Sequence, residues 1–254
     1  MSAAILPGAE PWSHRVEPSD AAGVLVLHGF TGNPSSMRGL AEAFAAAGFH
    51  VEMPRLPGHG TVIDEMLDTT WDDWSGEAEA AFARLAERSS KVVVAGLSMG
   101  GSLTLRLGAS HPEIAGLVCI NPATQPQAAE VIDMLQGMVD AGTEVMPGIG
   151  SDIADPDVRE SAYDGAPLRP LLSMMREGLA PMAELLPSMT MPLLLVNSIN
   201  DHVVEPAQAE YLAATYGGPV DRLVLERSYH VATQDYDKDL ICERSVAFAR
   251  HVSG

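Results

Sequence analysis

The stretch Val92-Val93-Val94-Ala95-Gly96-Leu97-Ser98-Met99-Gly100-Gly101 constrains the fold more than any other part of the chain. A β-branched apolar run ends abruptly in Gly-x-Ser-x-Gly, and a helix-forming segment, Met99 to Leu107, follows. A serine hydroxyl is a poor nucleophile unless it is exposed, oriented and paired with a base. A tight strand-to-helix turn supplies the first two conditions, and it crowds the residues two before and two after the serine, where only small side chains fit. The following helix points its N-terminus at the turn, so its free N–H groups favour negative charge there. A bare Gly-x-Ser-x-Gly also arises by chance in glycine-rich loops. The strand before it and the helix after it make Ser98 a candidate nucleophile.

Such a site still needs a base, an orienting acid and oxyanion donors. Upstream, Val24-Leu25-Val26-Leu27 reads as a buried strand ending in His28-Gly29-Phe30-Thr31-Gly32, a loop of the kind that donates an oxyanion N–H. Downstream, Pro192-Leu193-Leu194-Leu195-Val196-Asn197 reads as another buried strand, with Asp201 in the loop beyond it. Arg222-Leu223-Val224-Leu225 is a short strand followed by Ser228-Tyr229-His230. The order Ser98, Asp201, His230 is the Ser…Asp…His order of an α/β-hydrolase. His28 precedes the nucleophile and reads as a residue shaping the oxyanion loop. His59, in Pro57-Gly58-His59-Gly60, is a candidate substrate contact, with backbone hydrogen bonding as the equal alternative. His202 adjoins Asp201 but is set aside, because adjacent loop residues diverge. Glu205 competes with Asp201 for the acid role, yet it precedes Pro206 like a helix-start residue. Asp235 and Asp237 read as caps of the last helix.

With these motifs assembled, the chain resembles the bacterial carboxylesterase and monoacylglycerol lipase branch of the α/β-hydrolases. The resemblance runs from about residue 20 to the C-terminus. It is carried by His28-Gly29-Phe30-Thr31-Gly32-Asn33, Pro57-Gly58-His59-Gly60, Gly96-Leu97-Ser98-Met99-Gly100-Gly101, Asp201 with Val203-Val204, and Ser228-x-His230-Val231-x-Thr233. It implies Ser98 as nucleophile, Asp201 and His230 as its partners, and the backbone N–H groups of Phe30 and Met99 as the oxyanion hole. It further implies a carboxylic ester hydrolase acting on monoesters of short-to-medium acyl chains, monoacylglycerols among them. The segment before Asp201 matches the family poorly, and that is where the family carries its acyl-chain pocket.

Strands and helices alternate as a parallel sheet demands. Strands are predicted at 24–28, 49–53, 92–96, 116–121, 192–198 and 221–225. Helices are predicted at 35–47, from Thr70-Trp71-Asp72-Asp73 (a capping box) to about Arg88, from Pro206 to Tyr216, and from about Gln234 to His251. The last is expected to bury Leu240, Ile241, Val246 and Phe248. With the resemblance, this alternation leads one to expect an α/β-hydrolase core of residues 1–121 and 191–254. Residues 122–190 break the alternation, with helical patterns through Val131, Leu135, Met138 and Val139 and through Leu168, Leu171, Leu172 and Met175. This insertion lies above the strand ends and is expected to be a small helical cap. Of 13 methionines it holds seven: Met134, Met138, Met146, Met174, Met175, Met182 and Met189. Flexible thioethers suit either a pliable acyl slot or simple gap filling. Trimming part of 125–165 is expected to flatten any chain-length preference while sparing acetate esters.

Composition narrows the partners. The chain has 254 residues, 46% of them hydrophobic, enough for one large domain with a sizeable core. Its 34 acidic against 15 basic residues give a net charge of −19, so nucleic acid and anionic membranes are poor partners. Cys119 and Cys242 sit in apolar runs and read as buried thiols of a reducing compartment. The start, Met1-Ser2-Ala3-Ala4-Ile5-Leu6-Pro7, lacks a basic n-region, and no run approaches a membrane span of ~20 residues. A cytoplasmic protein with a small-molecule ester substrate, no stable membrane insertion and an undetermined oligomeric state is expected. No cofactor is implied, since the chain offers neither the Cys/His cluster of a zinc site nor a dinucleotide loop. The same triad chemistry also serves acyltransferases and thioesterases, and some proteins of this fold only bind ligands.

Overall fold

The alternation closes into one seven-stranded sheet, described for residues 3–254 by a computed structural model. Met1 and Ser2, at the head of the stretch read above for a leader, lie outside them. Strands β1 (Trp12–His14), β2 (Gly23–Leu27), β3 (His50–Met53), β4 (Val92–Leu97), β5 (Gly116–Ile120), β8 (Leu193–Ser198) and β9 (Val220–Leu225) lie in the order β1-β3-β2-β4-β5-β8-β9. Only β1 runs antiparallel to its neighbour. All six predicted strands are present to within a residue or two. β1 has no sequence signature, being three residues long and half-exposed.

Helices cover both faces: α1 (Arg38–Ala46), α2 (Trp71–Ala86), α3 (Met99–Ser110), α7 (Ala207–Thr215) and α8 (Lys238–Ser253). Strands β2, β4, β5 and most of β8 are buried on both sides, so they read as unbroken Val/Leu/Ile runs rather than alternating ones. Thr70 caps α2 through the full capping box with Asp73. The first helix differs from expectation at its start. Pro34–Met37 forms a 3-10 turn capped by the Asn33 side chain, and α1 begins only at Arg38. The last helix starts at Lys238, which sets its phase so that Ile241, Ser245 and Ala249 face the core. Leu240 falls on the outer side and is 40% exposed, contrary to its predicted burial.

Between β5 and β8 the chain leaves the sheet. It forms α4 (Ala129–Asp140), a two-stranded ribbon of β6 (Val145–Pro147) and β7 (Gly165–Pro167), then α5 (Leu168–Ser173), a π turn (Met174–Leu179) and α6 (Ala180–Leu185). Leu135, Leu168 and Leu172 make a small core of their own there, separate from the two layers flanking the sheet. Among the described residues no helix is long and apolar enough to cross a membrane.

Candidate active site

Parallel strands deliver their carboxyl ends to one edge, which is where an open α/β sheet binds ligands. Ser98 follows β4 with φ 56° and ψ −119°, a left-handed conformation that a β-carbon disfavours. Its N–H donates to Ile120 O at 2.9 Å, fixing the turn to the neighbouring strand. The need for glycine on both sides is steric. A Cβ on Gly96 would overlap the Gly100 carbonyl, and one on Gly100 would overlap the Leu27 carbonyl and lie 2.7 Å from that of His28. Helix α3 therefore starts hard against the end of β2. Met99 is its first residue, so the Met99 N–H has no partner within the helix.

The loop after β2 approaches Ser98 closely, since a Cβ on Gly29 would stand 3.3 Å from the Ser98 Cβ. His28 sits beneath it, fully buried. The Leu56 N–H donates to His28 Nε2 at 3.1 Å, so the proton is on Nδ1, which bonds Gly29 O at 3.0 Å. Burial, first, and the neighbouring His59 hold His28 well below the usual histidine range. Phe30 packs edge-on against Trp74, at 5.7 Å between ring centroids.

Asp201, beyond β8, accepts from His230 Nδ1 at 2.7 Å through Oδ2, and from the Val203 and Val204 N–H groups at 2.8 Å through Oδ1. With the Nδ1 proton in that bond, His230 Nε2 is left as the free acceptor. Both side chains are nearly enclosed, 8% exposed for His230 and 2% for Asp201. Glu205 is exposed, with its carbonyl accepting from Gln208 N–H at the approach to α7. It takes no part in this pair.

Ser98 and His230 open on one cavity of about 250 Å³, together with Gly29, Phe30 and Leu97 on the sheet side. Met146, Ile149, Tyr163 and Leu171 of the 122–190 segment line the opposite side, so the cavity is largely apolar. Two carboxyls, Asp152 and Glu160, also line it, and burial pushes that of Glu160 above its ordinary range, against the pull of His230.

His59 is not on the cavity. It is fully buried, with its ring edge-on to Trp74 and His28 at 5.5 and 5.0 Å and Nδ1 bonded to Pro57 O at 2.9 Å. That position sets His59 back from the cavity, and the ring makes the backbone bond that was the alternative to substrate contact. Burial lowers its pKa to about 4. Asp237 stands at the N-cap position of α8, as expected, but neither its side chain nor that of Asp235 caps the helix. Asp237 accepts from the Ser228 N–H and hydroxyl at 3.0 and 2.8 Å, and Asp235 from Tyr229, Tyr236, Ala154 and Asp155 N–H groups. Both fold the loop that carries His230.

Two further residues are invisible in the sequence. Asn121, at φ 42° after β5, donates to Ser198 Oγ and to His230 O at 3.1 and 2.8 Å and accepts from Ser198 N at 2.7 Å, tying three loops together. Asp152 accepts from the His230 N–H at 3.1 Å. Among the described residues no group of His, Cys, Asp and Glu has the arrangement of a metal site.

Residues 24–243 match the family described as the alpha/beta hydrolase family. Over 251 residues, 97% of each chain, the sequence is 43% identical to the thermostable monoacylglycerol lipase of Bacillus sp. (strain H-257). It is 26% identical to the carboxylesterase of Bacillus subtilis (strain 168), over 86% of this chain and 88% of that one. A solved structure from work on the metagenome-derived lipolytic enzymes LipS and LipT superposes with a TM-score of 0.91 at 44% identity, covering 98% of this chain and 100% of the other. The monoacylglycerol lipase of Paleococcus ferrophilus, 17% identical over 96% of this chain and 100% of its own, shares the fold with a TM-score of 0.76.

Proposed function

This chain belongs to the alpha/beta hydrolase family, and on that premise we propose that it is a serine hydrolase of carboxylic monoesters, with monoacylglycerols or similar esters of short-to-medium acyl chains as substrates. The observation that carries the reading is the 2.7 Å His230–Asp201 bond, which leaves His230 Nε2 free beside the cavity onto which Ser98 opens. In the proposed reaction the Ser98 hydroxyl attacks the ester carbonyl while His230 takes its proton, and Asp201 holds the resulting imidazolium. The Phe30 and Met99 N–H groups receive the oxyanion, each worth about 3 kcal/mol in comparable sites. His230 then protonates the departing alcohol, and water cleaves the acyl-enzyme by the same route.

An apolar wall suits an acyl chain, and Glu160 offers the cavity a polar group for the hydroxyls of the alcohol. The 43% identity to a monoacylglycerol lipase supports the same substrate class. A cytoplasmic location is part of the reading, supported by the unpaired thiols of Cys119 and Cys242. The test is covalent labelling by a fluorophosphonate together with rates on p-nitrophenyl esters and monoacylglycerols. Label on Ser98 with monoacylglycerol turnover is expected. A folded Ser98→Ala protein that keeps near-native turnover would end the reading.

A further inference from the structure

The 122–190 segment does more than roof the cavity. Its Asp152, 7% exposed, gathers three N–H donors from the two loops that carry the acid and the base. Oδ2 accepts from the backbone N–H groups of His202 and His230, both at 3.1 Å, and Oδ1 meets His202 Nδ1 at 2.8 Å. His202 is the residue directly after Asp201. The next backbone link runs the same way, Val231 N–H to Asp152 O at 3.1 Å. Asp235 answers from the base's loop by accepting from Ala154 and Asp155 N–H at 2.7 and 3.1 Å. Two carboxylates thus cross between the segments, each binding the other's backbone.

We propose that Asp152 is a positioning residue for the hydrolysis, holding the backbone of His230 and of the residue beside Asp201 so that acid and base keep their registry. The proposal rests on the serine-hydrolase reading above. A buried carboxylate surrounded by donors is rigid, because each lost bond leaves an unsatisfied group. Without it the His230 N–H and the His202 N–H lose their common acceptor. A displacement of the base of about 1 Å costs on the order of 10²-fold in rate.

Hydrogen-bonding geometry, rather than charge, is what the proposal assigns to Asp152, and Asp152→Asn separates the two. The amide oxygen can accept both backbone N–H groups, while its NH₂ faces His202, whose exposed ring takes the other tautomer. Acetate esters serve as substrate, since their acyl group barely needs the roof. Asp152→Ala should lose about 10²-fold in kcat with KM little changed, and Asp152→Asn should stay within about threefold of the parent. The far-downfield proton resonance of the His230–Asp201 bond should be present in the parent and the Asn protein and shifted or lost in the Ala protein. Near-native kcat in folded Asp152→Ala overturns the proposal, as does an Asn variant as impaired as Ala. If the Ala protein does not fold, the Asn variant decides: a folded Asn protein slowed tenfold or more overturns it. His230→Ala, run alongside, keeps the outcomes apart, because a fully active His230→Ala protein breaks the hydrolase reading itself.

Discussion

The cavity has two sides that are built differently. The sheet side is made of strand ends and tight loops whose positions are over-determined. Ser98 is wedged by Gly96 and Gly100, and Asp201 is held by three donors, one of them the His230 ring, whose other nitrogen alone faces the cavity. The far side rests on three buried leucines, and α4 buries only Leu135 along its length. Between them runs a stretch that belongs to the far side by sequence and to the near side by bonding. Asp152, Ala154 and Asp155 grip the His230 loop, while Ser161 takes the Asn33 side chain and Tyr163 N–H bonds Thr31 O at 3.1 Å. On the proposed reading the floor supplies the chemistry and should tolerate little change, whereas the helices and ribbon of the roof are the parts expected to vary with substrate.

The largest effects should therefore come from the floor. Ser98→Ala is expected to cut kcat by a factor on the order of 10⁶, as loss of the nucleophile does in a well-studied serine hydrolase. Asp201→Asn should cost about 10⁴-fold by favouring the wrong His230 tautomer. Steady-state kinetics on folded protein, checked by circular dichroism, measure both. If Asp201→Asn were harmless, the single acid–base pair that defines the floor would be the wrong one.

The floor should also fail first in acid. His59 is neutral in the folded protein down to about pH 4, whereas in the unfolded chain it titrates near 6.5. Above pH 6.5 both states are neutral and nothing is lost. As the pH falls from 6.5 to about 4 the unfolded state binds the extra proton, so stability drops, by roughly 3 kcal/mol at the end of that window. His28, lowered for the same reason, adds in the same direction. In denaturant melts across this range, His59→Gln should show a shallower decline than the parent. An unchanged slope would mean the buried pair is not what makes the floor acid-sensitive.

How much of this was legible depended on whether a residue's role was local. The Val92–Gly101 elbow is dictated by its own sequence, because strand, strained turn and helix all lie within ten residues and the glycines are required by contacts at the turn. The apolar runs of β2, β5 and β8 are similarly self-announcing. Asp152 and Asn121 are not, since their partners lie 78 and 109 residues away in the chain. In a sequence with 34 acidic residues, one more aspartate in a loop carries no signal. Asp235 and Asp237 stood near a helix start and so looked like caps, though their oxygens turn back to the His230 loop. Gly58-His59-Gly60 read equally as a substrate contact or a backbone-bonded loop, and the sequence does not show that Trp74 and His28 pack against the ring.

The smallest effect tests the roof alone. Trimming across 125–165 is too blunt, because it removes Asp152 and Tyr163 together with α4 and would damage the floor. A single change that fills space is better. Met146 in β6 and Leu171 in α5 line the same cavity as Ser98, and neither is among the residues that bond the loops of Asp201 and His230. Each methylene buried against such a wall contributes about 0.8 kcal/mol, roughly fourfold in kcat/KM. In the parent, kcat/KM on p-nitrophenyl esters should climb by up to that factor per methylene until the cavity is full, then fall. Met146→Trp or Leu171→Trp should move the maximum to a shorter chain while leaving acetate hydrolysis within about threefold. A maximum that stays put would show that the chain lies elsewhere. An acetate rate that collapses as well would mean the roof is as tightly coupled to the chemistry as the Asp152 stretch, and the division between floor and roof would not hold.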